Sequence, residues 1–173
     1  MQHIMLDLET MGTGPNAAIV AIGAVEFDLN ELTTGRTFYT AIDLVSAVES
    51  GGTIDASTVL WWLKQDETAR AELTDGEKMN HQAALWRFAS YLKTIVDAKY
   101  IWGNGSDFDN VILSNAYKRA AMPPQWRWSN NRCYRTIKAM HPEIEMQRDG
   151  THHHALDDAI SQARHLIQIH AYR

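Results

Sequence analysis

Apolar residues recur along this chain in two rhythms. Up to Ile42 they alternate or run together, as in strands; beyond Asp55 they return every three or four residues, as in amphipathic helices. Ile4-Met5-Leu6-Asp7-Leu8-Glu9 predicts a first strand, apolar enough to lie centrally in a sheet. Ala17 to Phe27 predicts a second buried strand with Gly23 as a bulge, and Arg36 to Ile42 a third. Their short connections make these three antiparallel neighbours. Asp55 stands where it would cap a helix through Val59, Leu60, Trp61, Trp62 and Leu63. The polar stretch from Asp66 to Met79 predicts a short helix and a loop. Gln82 to Val96 carries a helical stripe at Leu85, Phe88, Ala89, Leu92 and Ile95.

Tyr100 to Gly103 is a short strand. Gly103-Asn104-Gly105-Ser106 then turns into a helix with Phe108, Ile112 and Ala116 on one face, ended before Pro123-Pro124. Trp126 to Trp128 predicts a fifth strand, Arg132 to Met140 a helix and Pro142 to Gly150 a loop. The last helix runs from about His154 to the end, with Leu156, Ile160, Ala163 and Ile167 inward. A meander followed by strand-helix units predicts an α/β protein: a mixed sheet with helices packed on it.

Asp7 and Glu9 break the apolar pattern of the first strand. Strand side chains alternate, so both acids point to one face, roughly 7 Å apart, while Leu6 and Leu8 enter a core on the other. Two acids on a central strand need a cation; on an exposed edge strand they are merely solvated. The turn that follows, Thr10-Met11-Gly12-Thr13-Gly14-Pro15, lets a ligand approach the strand end.

Length and charge narrow the classes. A chain of 173 residues fits one domain, residues 1–173, with a sizeable core. No apolar run approaches a membrane span, and strand residues begin almost at Met1, so neither membrane insertion nor a leader peptide is expected. The single cysteine, Cys133, allows no internal disulfide and no cysteine-built zinc site, as in a reducing cytoplasm. A net charge of −5 argues against a broad DNA-coating surface, but not against a metal-mediated grip on a short nucleic acid.

Later acids and histidines can join Asp7 and Glu9. Asp107 and Asp109 open a helix after a strand end, where ligands gather, although helix dipoles favour acids there anyway. Asp157 and Asp158 stand together on the last helix, about 100° apart, so one of them faces any site. The run His152-His153-His154 is either a solvated tract or the source of a general base near neutral pH. Four carboxylates and an imidazole on separate elements suit two hard divalent cations, Mg²⁺ or Mn²⁺, for displacement at phosphorus.

This set resembles the DEDDh exonucleases. The first motif, D-x-E-T, is Asp7-Leu8-Glu9-Thr10; the second, a glycine-asparagine turn into F-D, ends on Phe108-Asp109; the third, H-x4-D, is His153 to Asp158. Those registers select Asp109 over Asp107 and His153 over its neighbours. Trp102-Gly103-Asn104-Gly105, Phe108-Asp109-Asn110 and Trp61-Trp62-Leu63-Lys64-Gln65 further resemble the RNase AS-like exoribonuclease family of bacteria and phages.

The resemblance implies a ribonuclease H-like fold with five strands. It implies a 3′-to-5′ exonuclease that hydrolyses single-stranded nucleic acid, RNA before DNA, to nucleoside 5′-monophosphates. Asp7, Glu9, Asp109 and Asp158 would hold two divalent cations and His153 would act as general base. The backbone of Thr10 and Met11 would meet the terminal nucleotide, and Trp61 or Trp62 would stack on it, the other entering the core. A homodimer is also implied. From Lys118 to Lys138 the chain has six basic residues and no acid, a segment expected to meet upstream phosphates or simply to form a solvated face. A non-catalytic nucleic-acid-binding module and an endonuclease are the competing classes.

Overall fold

A computed structural model describes residues 2–95 and 100–172. Its centre is a five-stranded mixed sheet in the order β3-β2-β1-β4-β5. The strands are β1 (His3–Thr10), β2 (Ile19–Asp28), β3 (Thr33–Ala41), β4 (Tyr100–Gly103) and β5 (Asn131–Cys133). β1 is the middle strand, as its apolar sequence requires. It pairs antiparallel with β2 on one side and parallel with β4 on the other.

Helices α1 (Leu44–Glu49), α2 (Ala56–Trp62), α3 (Glu67–Thr74) and α4 (His81–Lys93) lie between β3 and β4 in sequence. They are followed by α5 (Asp109–Arg119), α6 (Tyr134–Met140) and α7 (Ala155–Ala171). Each sheet face has its own core. Ile4, Leu6 and Leu8 of β1 join Leu85 and Phe88 of α4 and Ile112 and Tyr117 of α5. On the opposite face Met5, Val25, Phe27 and Trp102 pack with Tyr134 and with Ala159, Ala163 and Leu166 of α7. The alternation along β1 therefore sends Asp7 and Glu9 to the α7 side. No helix among the described residues is long and apolar enough to cross a membrane.

Several elements differ from the sequence expectation. The fifth strand is Asn131–Cys133, after a 3₁₀ turn at Trp128–Asn130, and not Trp126 to Trp128. Its backbone pairing with Ile101–Gly103 defines it, because three polar or small residues carry no apolar run. The helix expected from Arg132 begins at Tyr134. The α4 helix ends at Lys93, and Val96 lies outside the described residues. Asp55 occupies the N-cap position of α2 but caps none of its amides; its Oδ2 accepts from the Thr13 N–H at 2.8 Å.

Gly23 is not a bulge. It pairs in register with Asp7 and Tyr39, and the irregularities fall at Glu9/Thr10 and between Val25 and Phe27. Its missing side chain instead admits the start of α7: a Cβ there would lie 2.2 Å from the Ala155 carbonyl carbon. The buried face of α7 follows from this approach. Ala155, Ala159 and Ala163 are the fully buried small residues, while Leu156, Ile160 and Ile167, expected inward, are only partly covered. Small side chains on a glycine gap let the helix come down onto the sheet directly opposite Asp7.

Candidate active site

Three carboxylates converge where β1 and α7 meet. Ligand oxygens of Asp7, Glu9 and Asp158 lie within 4.8 Å of one another. Asp158 also belongs to a second such group with His152 and His153. It is thus the hinge between the carboxylates and the imidazoles. His153 sits in the left-handed region, φ 64°, a conformation that costs a non-glycine residue about 1–2 kcal/mol. There its backbone N–H donates to Asp158 Oδ2 at 2.9 Å. Its ring stacks on His152 with centroids 3.7 Å apart and meets the edge of Trp61 at 4.7 Å. His154 points elsewhere: it stacks on Tyr39, and its Nδ1 accepts from the Asp157 N–H at the start of α7.

Asp109 stands beside this cluster but is held differently. Its Oδ1 accepts from the Leu8 N–H at 3.1 Å and its Oδ2 from the Asn104 N–H at 2.7 Å. Both oxygens thus carry backbone hydrogen bonds, which join β1 to the turn before α5. Asp109 is not among the carboxylates whose oxygens converge within 4.8 Å.

Burial dominates the acid-base behaviour. It raises Asp7 well above the carboxylate range, helped by Asp109 and Asp158 and opposed by the Gln162 amide, which donates to Asp7 Oδ1 at 2.7 Å. Glu9 is also pushed well up by burial, then by Asp7, Asp158 and Asp109. Asp109 rises to about 6 through burial, against the Asn104 and Leu8 amide bonds. Burial, then the neighbouring His152, lowers His153, which favours the neutral ring at neutral pH.

Such a cluster of crowded acids fits hard cations. Each raised carboxyl binds its proton more tightly in the folded state. Its stabilising contribution is therefore complete below the unfolded pKa and lost as pH rises through the folded one. For Asp109 that window runs from 3.8 to about 6, and Asp7 and Glu9 extend it upward. In EDTA, the melting temperature should rise as pH falls from about 7.5 to about 5.5, and Mg²⁺ at about pH 7.5 should recover the difference. A melting temperature that fell over that range would contradict the charge crowding.

The site opens into a cleft of about 530 Å³. Both tryptophans line it, but Trp61 is 41% exposed whereas Trp62 is 2% exposed and packed into the core, its Nε1 donating to the Thr10 carbonyl at 3.0 Å. Of the two tryptophans, Trp61 is the one exposed to solvent. Thr10, Gly12 and Thr13 line the cleft. Met11 is buried and does not, since its N–H donates to Ala18 and its carbonyl accepts from Asp55. The basic segment from Lys118 to Lys138 splits. Arg119 bonds Asn16 and Arg132 covers the Tyr100 ring, while Arg135 and Lys138 line the cleft together with Arg148.

Gln162 and Arg148 are site residues that the motifs did not reveal. Gln162 follows Asp158 by four positions, one helical turn, which is the spacing that places both at the same face. Arg148 has no such signal: it lies in the loop after α6, and its Nη1 meets Asp158 Oδ1 at 2.5 Å.

Known structures share this architecture. The chain matches the nuclease domain of 3'hExo, a DEDDh family member, bound to rAMP, with a TM-score of 0.64 and 14% identity over 96% of this chain and 90% of that one. It matches exonuclease I in its apo form with a TM-score of 0.65 and 18% identity, covering 99% of this chain and 44% of that one. Against E. coli exonuclease I in complex with a dT13 oligonucleotide the TM-score is 0.62 and the identity 21%, over 96% and 39% of the two chains. This chain therefore spans less than half of those exonuclease I chains. No curated protein sequence matches it. The shared fold and the family model together define a nuclease of the 3′-to-5′ exonuclease type. More narrowly, residues 2–170 match the 3'-5' exoribonuclease Rv2179c-like domain, and the chain belongs to that family.

Proposed function

We propose that this enzyme removes nucleoside 5′-monophosphates one at a time from the 3′ end of single-stranded RNA. The observation that carries the proposal is the meeting of Asp7, Glu9 and Asp158 at the end of the central strand, with His153 across Asp158 from them. These three carboxylates would hold divalent cations, Mg²⁺ or Mn²⁺, with Asp109 assisting through water. Two such ions supply an activated water and charge neutralisation at the departing oxygen.

The remaining work falls to the chain itself. His153, neutral at working pH, takes the proton from the attacking water. Its left-handed backbone and the contact with Trp61 orient the ring toward Asp158. Gln162 fixes the Asp7 carboxylate in one rotamer. Thr10, whose carbonyl is anchored by Trp62, forms the floor for the terminal nucleotide, and Trp61 offers the stacking face. Single-stranded RNA is preferred because the family is an exoribonuclease domain. Single-stranded DNA is the second reading, motivated by the fold shared with exonuclease I in its dT13 complex.

A direct test incubates 5′-labelled single-stranded RNA, single-stranded DNA and duplex with Mg²⁺ or Mn²⁺. A ladder shortening from the 3′ end, faster on RNA, supports the proposal. Internal cuts would indicate an endonuclease, and intact substrate a binding module.

The strand then leaves the cleft along α6. Arg135 and Lys138, three residues apart, share an exposed helix face, and both also line an adjoining groove beside the loop after α6. Arg135→Ala with Lys138→Ala should raise KM for a long RNA about tenfold and flatten its dependence on salt. Cleavage of a dinucleotide, which meets these residues only where they line the cleft, should change less than cleavage of the long RNA. A salt dependence identical to that of the wild type would remove these residues from the path.

A further inference from the structure

Arg148 stands at the contact between the acidic cluster and the basic groove. Its guanidinium pairs with Asp158, the carboxylate shared by both metal-competent groups. Asp158 has its second oxygen on the His153 N–H, so both of its oxygens are engaged and Arg148 is the charged competitor that a cation would meet. The arginine side chain is 46% exposed against 11% for Asp158, and half-exposed pairs are cheap to break. Two or three carboxylates closing on a divalent ion outcompete one half-exposed guanidinium.

The backbone around Arg148 is fixed while its side chain is free to turn. The next residue, Asp149, donates its N–H to Ser161 Oγ and pairs with Arg164. Upstream, the Ile144 carbonyl meets His165 Nε2 at 2.8 Å, and the Tyr134 hydroxyl lies 3.3 Å from Met146 Sδ. The loop is thus tied to α6 and α7 on both sides of Arg148. A guanidinium released from Asp158 stays over the cleft and the groove, both of which it lines.

We propose that Arg148 is a ligand for a substrate phosphate, kept in reserve by Asp158. In the metal-free enzyme it neutralises the carboxylates. Once divalent cations take Asp158, it turns to the phosphodiester next to the cut, where its planar fork suits two phosphate oxygens. The inference rests on the proposed nuclease chemistry and adds an exchange of partners to it.

The two halves of this exchange move in opposite directions, which makes them measurable. Mn²⁺ binding to substrate-free protein is followed by calorimetry or by the electron paramagnetic resonance of free Mn²⁺, for wild type, Arg148→Ala and Arg148→Lys. Arg148→Ala removes the competitor, so Mn²⁺ should bind about three- to tenfold more tightly. In the same variant KM for single-stranded RNA should rise about tenfold or more. Arg148→Lys keeps the charge without the fork and should fall between wild type and alanine on both measures. Unchanged or weaker Mn²⁺ binding in Arg148→Ala would overturn the reserve. Tighter Mn²⁺ binding with an unchanged KM would overturn the phosphate role. A wild-type protein that neither binds Mn²⁺ nor shortens RNA would instead fail the nuclease proposal itself.

Discussion

Asp7→Asn should lower turnover about a thousandfold or more while leaving the fold intact, and it should make the metal-free protein more stable. The loss follows from position. Asp7 is the carboxylate on the central strand that faces both Glu9 and Asp158, and removing its charge takes away one of three converging ligands. The amide oxygen of asparagine can still accept from Gln162, so the side chain keeps its place. The gain follows from crowding. Burial and the charges of Asp109 and Asp158 push Asp7 well up, so the ionised form is a strained occupant without a cation. Relief of that repulsion by about 1 kcal/mol would raise the melting temperature by about 2–4 °C in EDTA, and Mg²⁺ should stabilise the variant less than the wild type. Activity and melting temperature measured on the same preparation separate these effects. Near-normal turnover would remove Asp7 from the chemistry, and a lower melting temperature in EDTA would contradict the crowding.

Gly23→Val is expected to be the most damaging change outside the acidic residues. A Cβ at this position falls 2.2 Å from the Ala155 carbonyl carbon and 2.4 Å from the Leu156 nitrogen, all of it backbone that no rotamer can move aside. The start of α7 must lift off β2, which costs about 4 kcal/mol or more and about 8 °C or more in melting temperature. Activity should collapse with it, because His153 and Asp158 ride on that helix start and Gly23 lies in register with Asp7. Gly14→Ala is the control. A Cβ there meets nothing within 4 Å, so both melting temperature and cleavage should stay near wild type. If Gly23→Val melted like the control, the close approach of α7 would not be what assembles the site.

Much of this was legible in the sequence, for reasons that particular residues make plain. The central strand could be recognised because Ile4, Leu6 and Leu8 alternate with Asp7 and Glu9, and pleating fixes which face each takes. The residues alone leave three histidines and two acids open, and only the H-x4-D register of the DEDDh resemblance singles out His153 and Asp158. The fifth strand could not be recognised, since Asn131-Arg132-Cys133 owes its conformation to pairing with β4 and to nothing in its own composition. The apolar stripe of α7 points to Ala163 correctly but not to Ala155 and Ala159, because the close approach over Gly23, and not hydrophobicity, selects them. Arg148 was invisible: a single arginine in a loop carries no periodicity, and only the folded chain brings it to Asp158. The separation of Trp61 from Trp62 also needed the structure, because two adjacent helical tryptophans are distinguished only by what packs against them.

The hydrogen bonds of Asp109 to Leu8 and Asn104 have a consequence for genetics. Any substitution that cannot accept from the Leu8 amide leaves a buried donor unpaired on the central strand, a penalty of about 1–3 kcal/mol, and one that also loses the Asn104 amide frees the turn before α5. Losses of that size can lower cellular abundance several-fold. In a mutational screen scored by phenotype, position 109 would therefore register partly as missing protein rather than as missing catalysis. Alleles at positions 7 and 9, whose side chains brace no such backbone junction, report on the chemistry more cleanly.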